Sequence, residues 1–143
     1  MQEFHRLRST AGAVIVRRSH LDAARVSGSA RDLARLLANL GDNSIHYARS
    51  EVTIGLFASR PGIVEVVFTD DGPGIPAIDR ERIFDRFTRL DDSRSRSAPV
   101  FGTGLGLAIA QQIAMRHGGS IRASAREDGA SGAVLTVRLP RSD

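Results

Sequence analysis

Lysine, cysteine and tryptophan are missing from this 143-residue chain, and tyrosine occurs once. The missing lysine excludes the most. A Walker A loop needs Gly-Lys-Ser/Thr, the protein-kinase fold needs a strand lysine and a pyridoxal enzyme needs a Schiff-base lysine, so none of these can be built. Without cysteine there is no disulfide framework and no thiolate metal site, and His5, His20, His46 and His117 show no ligand spacing among themselves. No Ser-His-Asp order or nucleophile elbow points to a hydrolase. No apolar run approaches the roughly 20 residues that span a bilayer, and no charged-then-apolar leader is visible. Together these absences lead us to expect a cytoplasmic segment that does not itself enter a membrane.

What is present has the composition of one globular domain, with 41% hydrophobic and 25% charged residues. The net charge is only +4. An isoelectric point near 11.1 overstates the basicity, because almost nothing titrates between histidine and arginine when lysine and cysteine are missing. The densest arginine group, Arg89, Arg94 and Arg96, is interleaved with Asp91 and Asp92. A nucleic-acid partner is therefore not expected.

Residues 1–8 are polar and unpatterned and read as an N-terminal tail, native or appended, ahead of a domain over 9–143. Val14-Ile15-Val16 reads as a short strand, and Ala24-Arg25-Val26 as a second candidate. Ser29 is placed to cap a helix from Ala30 to about Ala48, whose Leu33, Leu36, Leu37, Leu40 and Ser44 keep one-face spacing. Val52, Ile54 and Leu56 alternate with polar or small residues, Arg60-Pro61-Gly62 turns the chain, and Ile63 to Thr69 returns as a second strand. Ile78 to Leu90 predicts one or two short helices, residues 91–103 a long mobile loop, and Leu105 to Arg116 a helix ended by glycine. Ser120 to Arg126 and Ala133 to Leu139 predict a final strand pair around Asp128-Gly129. This order implies one layer of helices on a mixed, mainly antiparallel sheet.

Two glycine-rich boxes stand out: Asp70-Asp71-Gly72-Pro73-Gly74-Ile75-Pro76 and Gly102-Thr103-Gly104-Leu105-Gly106-Leu107. Alternate glycines let backbone approach a ligand closely, and amides at a helix start suit phosphate. Asp70 ends an apolar strand, where a carboxylate near the core needs a donor such as the exocyclic amine of adenine. The second box follows a serine- and arginine-rich loop rather than a strand, so it is not a Rossmann fingerprint. On the first long helix Asn39 and Asn43 lie one turn apart, with His46 and Tyr47 further along the same side. Their amides need partners, either a loop backbone or a magnesium ion shared with phosphate oxygens.

Order and spacing of the motifs carry a resemblance. The run Leu36 to Tyr47, then Asp70 to Pro76, then Ile83-Phe84-Asp85-Arg86-Phe87-Thr88-Arg89, then Gly102 to Leu107 resembles the N box, first glycine box, F box and second glycine box of the sensor histidine kinases. The likeness covers roughly residues 24–140 of the chain and is to their catalytic, ATP-binding domain. It implies the Bergerat (GHKL) α/β sandwich, with ATP held between the N-box helix and a lid. It further implies Asn43 as the magnesium ligand with Asn39 beside it, Asp70 on adenine, and Gly72 and Gly74 shaping the adenine pocket next to Ile75. Gly102, Gly104 and Gly106, with Thr103 and Leu105 between them, match the lid hinge and phosphate turn, and Arg86 or Arg89 matches the F-box arginine.

The chain departs from the family at Ser44, where alanine is usual, and at His46, where lysine or arginine is common; His46 and Tyr47 are counted with the nucleotide site. The family's phosphoacceptor histidine lies on a separate dimerisation hairpin, which is not found here; His5 echoes that motif without its acidic neighbour or proline. The resemblance thus implies a kinase domain that uses Mg-ATP, serves its own dimerisation domain and a downstream response regulator, and comes from a membrane-anchored parent. Alternatives on the same fold are a gyrase- or MutL-like ATPase, which carries a glutamate where Asn39 stands, and an anti-sigma serine kinase, which usually lacks an F box.

Overall fold

The computed structural model describes residues 4–9, 12–85 and 105–142. Six strands form one sheet: β1 (Phe4–Ser9), β2 (Gly12–Leu21), β3 (Glu51–Phe57), β4 (Ile63–Asp70), β5 (Ser120–Ala125) and β6 (Ala133–Pro140), in spatial order β1-β2-β3-β4-β6-β5. Only β2 and β3 run parallel, joined through helix α1 (Ala30–Tyr47); every other neighbouring pair is antiparallel. Helix α2 (Gly106–Arg116) lies against α1 on the same side of the sheet. The expected helix layer on a mixed, mainly antiparallel sheet is what forms.

Alternation explains which face is covered. Along β4, Val64, Val66, Phe68 and Asp70 are buried while the residues between them are not. Along α1 the buried row is Leu36, Leu40 and Ser44. Those rows meet in a core shared with Ile113 of α2 and Leu135 and Val137 of β6. Each fully buried aliphatic side chain of this kind contributes about 1.5–3 kcal/mol. Both rows end on a polar residue, which brings Asp70 and Ser44 into the apolar layer.

The two helices are antiparallel and fastened at two levels. Ser29 caps α1 by accepting from the Asp32 N–H at 3.1 Å, and its own N–H donates to His117 Nε2 at 3.2 Å. Further along, Asn39 Nδ2 donates to the Gly106 carbonyl at 3.1 Å, tying the middle of α1 to the first residue of α2. Helix α2 ends as its glycines predict, with the Gly119 N–H returning to the Ala114 carbonyl at 2.8 Å.

Two expectations are corrected. Residues 4–9 are not tail but an edge strand, paired from Phe4 with Arg17 to Ser9 with Gly12. Backbone pairing with a strand already anchored by Val14 supplies what the sequence Phe-His-Arg-Leu-Arg-Ser lacks in apolar alternation. Conversely, Ala24-Arg25-Val26 is not a strand; β2 itself runs on to Leu21, and Val26 instead packs on the core. Between Ile78 and Asp85 the short helices are 3-10 turns, Ala77–Asp79 and Arg82–Phe84, the second burying Ile83 and Phe84. The remainder of the F box and the loop over 91–103 lie outside the described residues.

Candidate functional site

Strand β4 delivers Asp70 to the end of the core, 5% exposed. Its Oδ1 accepts from the Gly72 N–H at 2.8 Å and the Ala133 N–H at 3.3 Å. Its Oδ2 has no protein donor among the described residues. Burial pushes this carboxyl above the ordinary aspartate range and Asp71 adds to that, against the opposing pull of the two N–H groups and Arg126. The result is a fixed, largely buried carboxylate whose second oxygen has no protein donor among the described residues.

The neighbouring Asp71 is built otherwise. It accepts from Arg49 N–H at 2.8 Å, Ser50 N–H at 2.9 Å, Glu51 N–H at 3.1 Å and Ser50 Oγ at 2.6 Å. Partial burial works against its charge, but these donors outweigh it and hold the carboxyl down at about 2. Asp71 thereby clips the glycine box to the junction between α1 and β3.

Close approach dictates the glycines. A Cβ on Gly72 would overlap the Tyr47 carbonyl oxygen at the end of α1, and one on Gly132 would overlap the Asp70 carbonyl oxygen. Gly132 also has φ +142°, which side chains rarely adopt. Gly74 lies against the Gly132 carbonyl, and Ile75 packs on the core. The turn between β5 and β6 thus forms one wall of the site: Ser131 Oγ donates to the Gly72 carbonyl at 2.6 Å and Arg126 to the Asp70 carbonyl at 3.4 Å. Arg126 is itself held by Asp128 at 2.7 Å.

Sequence reasoning did not find this wall. Gly132 and Ser131 sit some 60 positions from the residues they touch; a second glycine three residues after the Asp128-Gly129 turn was the available signal.

Helix α1 sets out the remaining residues. Asn39 and Asn43 are both half-buried on the flank of the leucine row. Asn39 donates its amide N–H to the backbone carbonyl of Gly106, the first residue of α2 and not a loop residue, so a backbone partner takes that half of its side chain. The Asn43 side chain has no partner among the described residues. His46 and Tyr47 stand edge to face, with ring centroids 4.7 Å apart. Leu105 and Gly106 open α2, whose first amides have no intrahelical acceptor. Arg86, Arg89, Gly102, Thr103 and Gly104 lie outside the described residues. Among the described residues no three His, Cys, Asp or Glu side chains cluster as metal ligands.

Known proteins resemble this chain in sequence and in fold. The profile of the family described as histidine kinase-, DNA gyrase B-, and HSP90-like ATPase matches residues 28–143. The sensor-like histidine kinase SenX3 of Mycolicibacterium smegmatis is 39% identical over 117 residues, covering 81% of this chain but 29% of that protein. The chain therefore spans less than a third of that relative's length. Among solved structures, the mycobacterial sensor histidine kinase MprB superposes with a TM-score of 0.75 at 33% identity, over 88% of this chain and 82% of that one. The catalytic domain of histidine kinase ThkA follows at 0.69 and 27%, over 87% and 77%. The chain belongs to the histidine kinase-, DNA gyrase B- and HSP90-like ATPase family, and within it to the catalytic domains of sensor histidine kinases.

Proposed function

We propose that this domain binds Mg-ATP and passes the γ-phosphate to a histidine on a separate dimerisation domain, within a kinase that signals to a response regulator. The observation that carries the reading is Asp70, a buried carboxylate with Oδ1 filled by the Gly72 and Ala133 N–H groups and with no donor to Oδ2 among the described residues. It sits in a cradle where neither Gly72 nor Gly132 has room for a Cβ. Such an acceptor suits the exocyclic amine of adenine and repels the carbonyl of guanine.

In this reading Asp70, Gly72, Gly74 and Ile75 hold adenine, and Tyr47 and His46 close its edge. Asn39, Asn43, Leu105 and Gly106 face the phosphates, and Gly102, Thr103, Gly104 and Arg86 or Arg89, which lie outside the described residues, are assigned to phosphate binding by the family resemblance. A magnesium ion held by Asn43 and phosphate oxygens would neutralise phosphate charge. The acceptor imidazole nitrogen forms its bond to the γ-phosphorus as the bond from phosphorus to the ADP oxygen breaks. The domain's share of that step is positioning and charge neutralisation.

Phosphotransfer is favoured over hydrolysis by Asn39. An amide cannot take a proton from water, and here its N–H is committed to Gly106. Membrane anchoring of the parent belongs to this proposal too; among the described residues no helix is long and apolar enough to cross a membrane.

Radiolabelled ATP tests the reading. Alone, the chain should bind ATP without appreciable turnover or stable self-labelling. Mixed with the dimerisation domain of its own parent, it should label that domain's histidine. Robust turnover by the lone chain, abolished in Asn39→Ala, would point instead to an ATPase.

A further inference from the structure

Arg126, the first residue after β5, divides its guanidinium between two neighbours. Nε donates to Asp128 Oδ1 at 3.1 Å and Nη2 to Asp128 Oδ2 at 2.7 Å, a two-pronged grip, while Nη1 donates to the Asp70 carbonyl at 3.4 Å across 56 positions of sequence. Asp128 is fixed in turn by the Ala130 N–H at 3.0 Å. Gly132 leaves the room this needs: a Cβ there would come within 2.8 Å of Arg126 Cδ and overlap the Asp70 carbonyl oxygen.

A surface ion pair contributes little to stability, and the Asp128 side chain is more than half exposed. What sets this pair apart is its third bond. The Arg126 side chain is 24% exposed and ends on the main chain of Asp70, the only buried carboxylate among the described residues. Burial is the main force against ionisation of Asp70 and the adjacent Asp71 adds to it, whereas Arg126 is a cation acting the other way. A guanidinium does not lose its charge across the pH range of a folded protein, so this influence does not titrate away.

We infer that Arg126 is a positioning residue of the nucleotide site: gripped by Asp128, it pins the end of β4 through the Asp70 carbonyl and places a permanent positive charge there, which keeps the Asp70 carboxylate charged for its ligand. The inference rests on the nucleotide reading above and adds to it a residue that acts through Asp70 rather than on the nucleotide. With the cation gone, burial and Asp71 meet less opposition, and protons compete with nucleotide for the carboxylate at a higher pH.

The test is calorimetric titration with ATP of wild type, Arg126→Gln and Arg126→Lys, followed from neutral pH down the acid range in which melting curves show each chain folded. Titration of the nucleotide's own phosphates is common to the three proteins and cancels in the ratio of their affinities. Near neutrality the three should agree within about 2-fold. On acidification Arg126→Gln should fall behind wild type until the gap is about 3- to 10-fold, while Arg126→Lys, which keeps the charge and loses the fork, stays within about 2-fold. A gap that is the same at every pH, no gap at all, or an Arg126→Lys that falls with Arg126→Gln overturns the inference. A lowered melting temperature with parallel affinity profiles overturns it too, leaving Arg126 a structural brace. If wild type binds ATP and Asp70→Asn abolishes binding while the Arg126→Gln profile runs parallel to wild type, only the role of Arg126 fails. If folded wild type does not bind ATP, the nucleotide reading fails with it.

Discussion

The loop after β4 carries two adjacent carboxylates in opposite situations. Asp71 receives the N–H groups of Arg49, Ser50 and Glu51 and the Ser50 hydroxyl, so its bonding capacity is spent inside the protein. Asp70 receives Gly72 and Ala133 on one oxygen, and the other has no donor among the described residues. The acidity follows the bonding: Asp71 is held down at about 2, whereas Asp70 is pushed up by burial. The difference teaches how a fold can build a rigid site, since the saturated neighbour fixes the loop and the unsaturated one is kept for a ligand.

The sharpest way to break this contrast is Asp70→Asn. We expect nucleotide affinity to fall by about 30- to 1,000-fold, or about 2–4 kcal/mol, because a charge-assisted acceptor becomes an amide. The melting temperature should hold or rise, since a buried charge is removed. Titration with a fluorescent ATP analogue and a melting curve read the two effects, and unchanged affinity would remove Asp70 from the site.

Asp71→Ala should invert the pattern. Three backbone N–H groups lose a charged acceptor, and we expect about 2–3 kcal/mol of stability lost in urea unfolding, with nucleotide binding weakened only through the loosened loop. If Asp71→Ala is as stable as wild type, the clip is ornamental and the contrast collapses.

Acid should separate the two residues without mutation. Asp71 has a folded pKa near 2 against an ordinary 3.8, so its contribution is present above pH 3.8 and lost as pH falls toward 2. Asp70 has a raised folded pKa, so protonation relieves the folded state while it removes the charged acceptor proposed for adenine. ATP affinity should therefore decline on acidification at a higher pH than stability does. Titrations and melts across the acid range would show the order, and coincident declines would contradict it.

The smallest effect is expected at Asn39, which ties α1 to α2 by one bond to the Gly106 carbonyl. Asn39→Ala should cost about 0.5–1.5 kcal/mol of stability and leave the Asp70 contact with adenine intact. Chemical denaturation reads the first. Comparing ATP with adenosine, which has no phosphates, reads the second: the loss should appear for ATP alone.

Much of this architecture is legible in local sequence because its causes are local. The leucine row and Ser29 fix α1, the alternation from Val64 to Phe68 fixes β4 and its buried face, and Asp70 is marked as unusual by ending that row. What escaped the sequence has distant causes. Phe4 to Ser9 becomes a strand only because β2 offers a backbone edge, and Ala24 to Val26 fails as one because Val26 is needed by the core. Gly132 reads as loop until Asp70 is found against it. Ser44 looks like an ordinary position in a helix until its buried hydroxyl is found without a partner among the described residues.

The bond from the Ala133 N–H to Asp70 Oδ1 joins residues 63 positions apart. It forms only when β6 has docked on β4, after the intervening chain, including α2 and β5, has been laid down. The pocket is thus a product of finished folding, and a nascent chain stopped short of β6 has a glycine box but no site. Ligand then binds the folded state and not its precursors, so nucleotide at 100 times its Kd adds about 2.7 kcal/mol to the free energy of unfolding. A ligand that depends on this bond would therefore favour molecules whose last strand is in place.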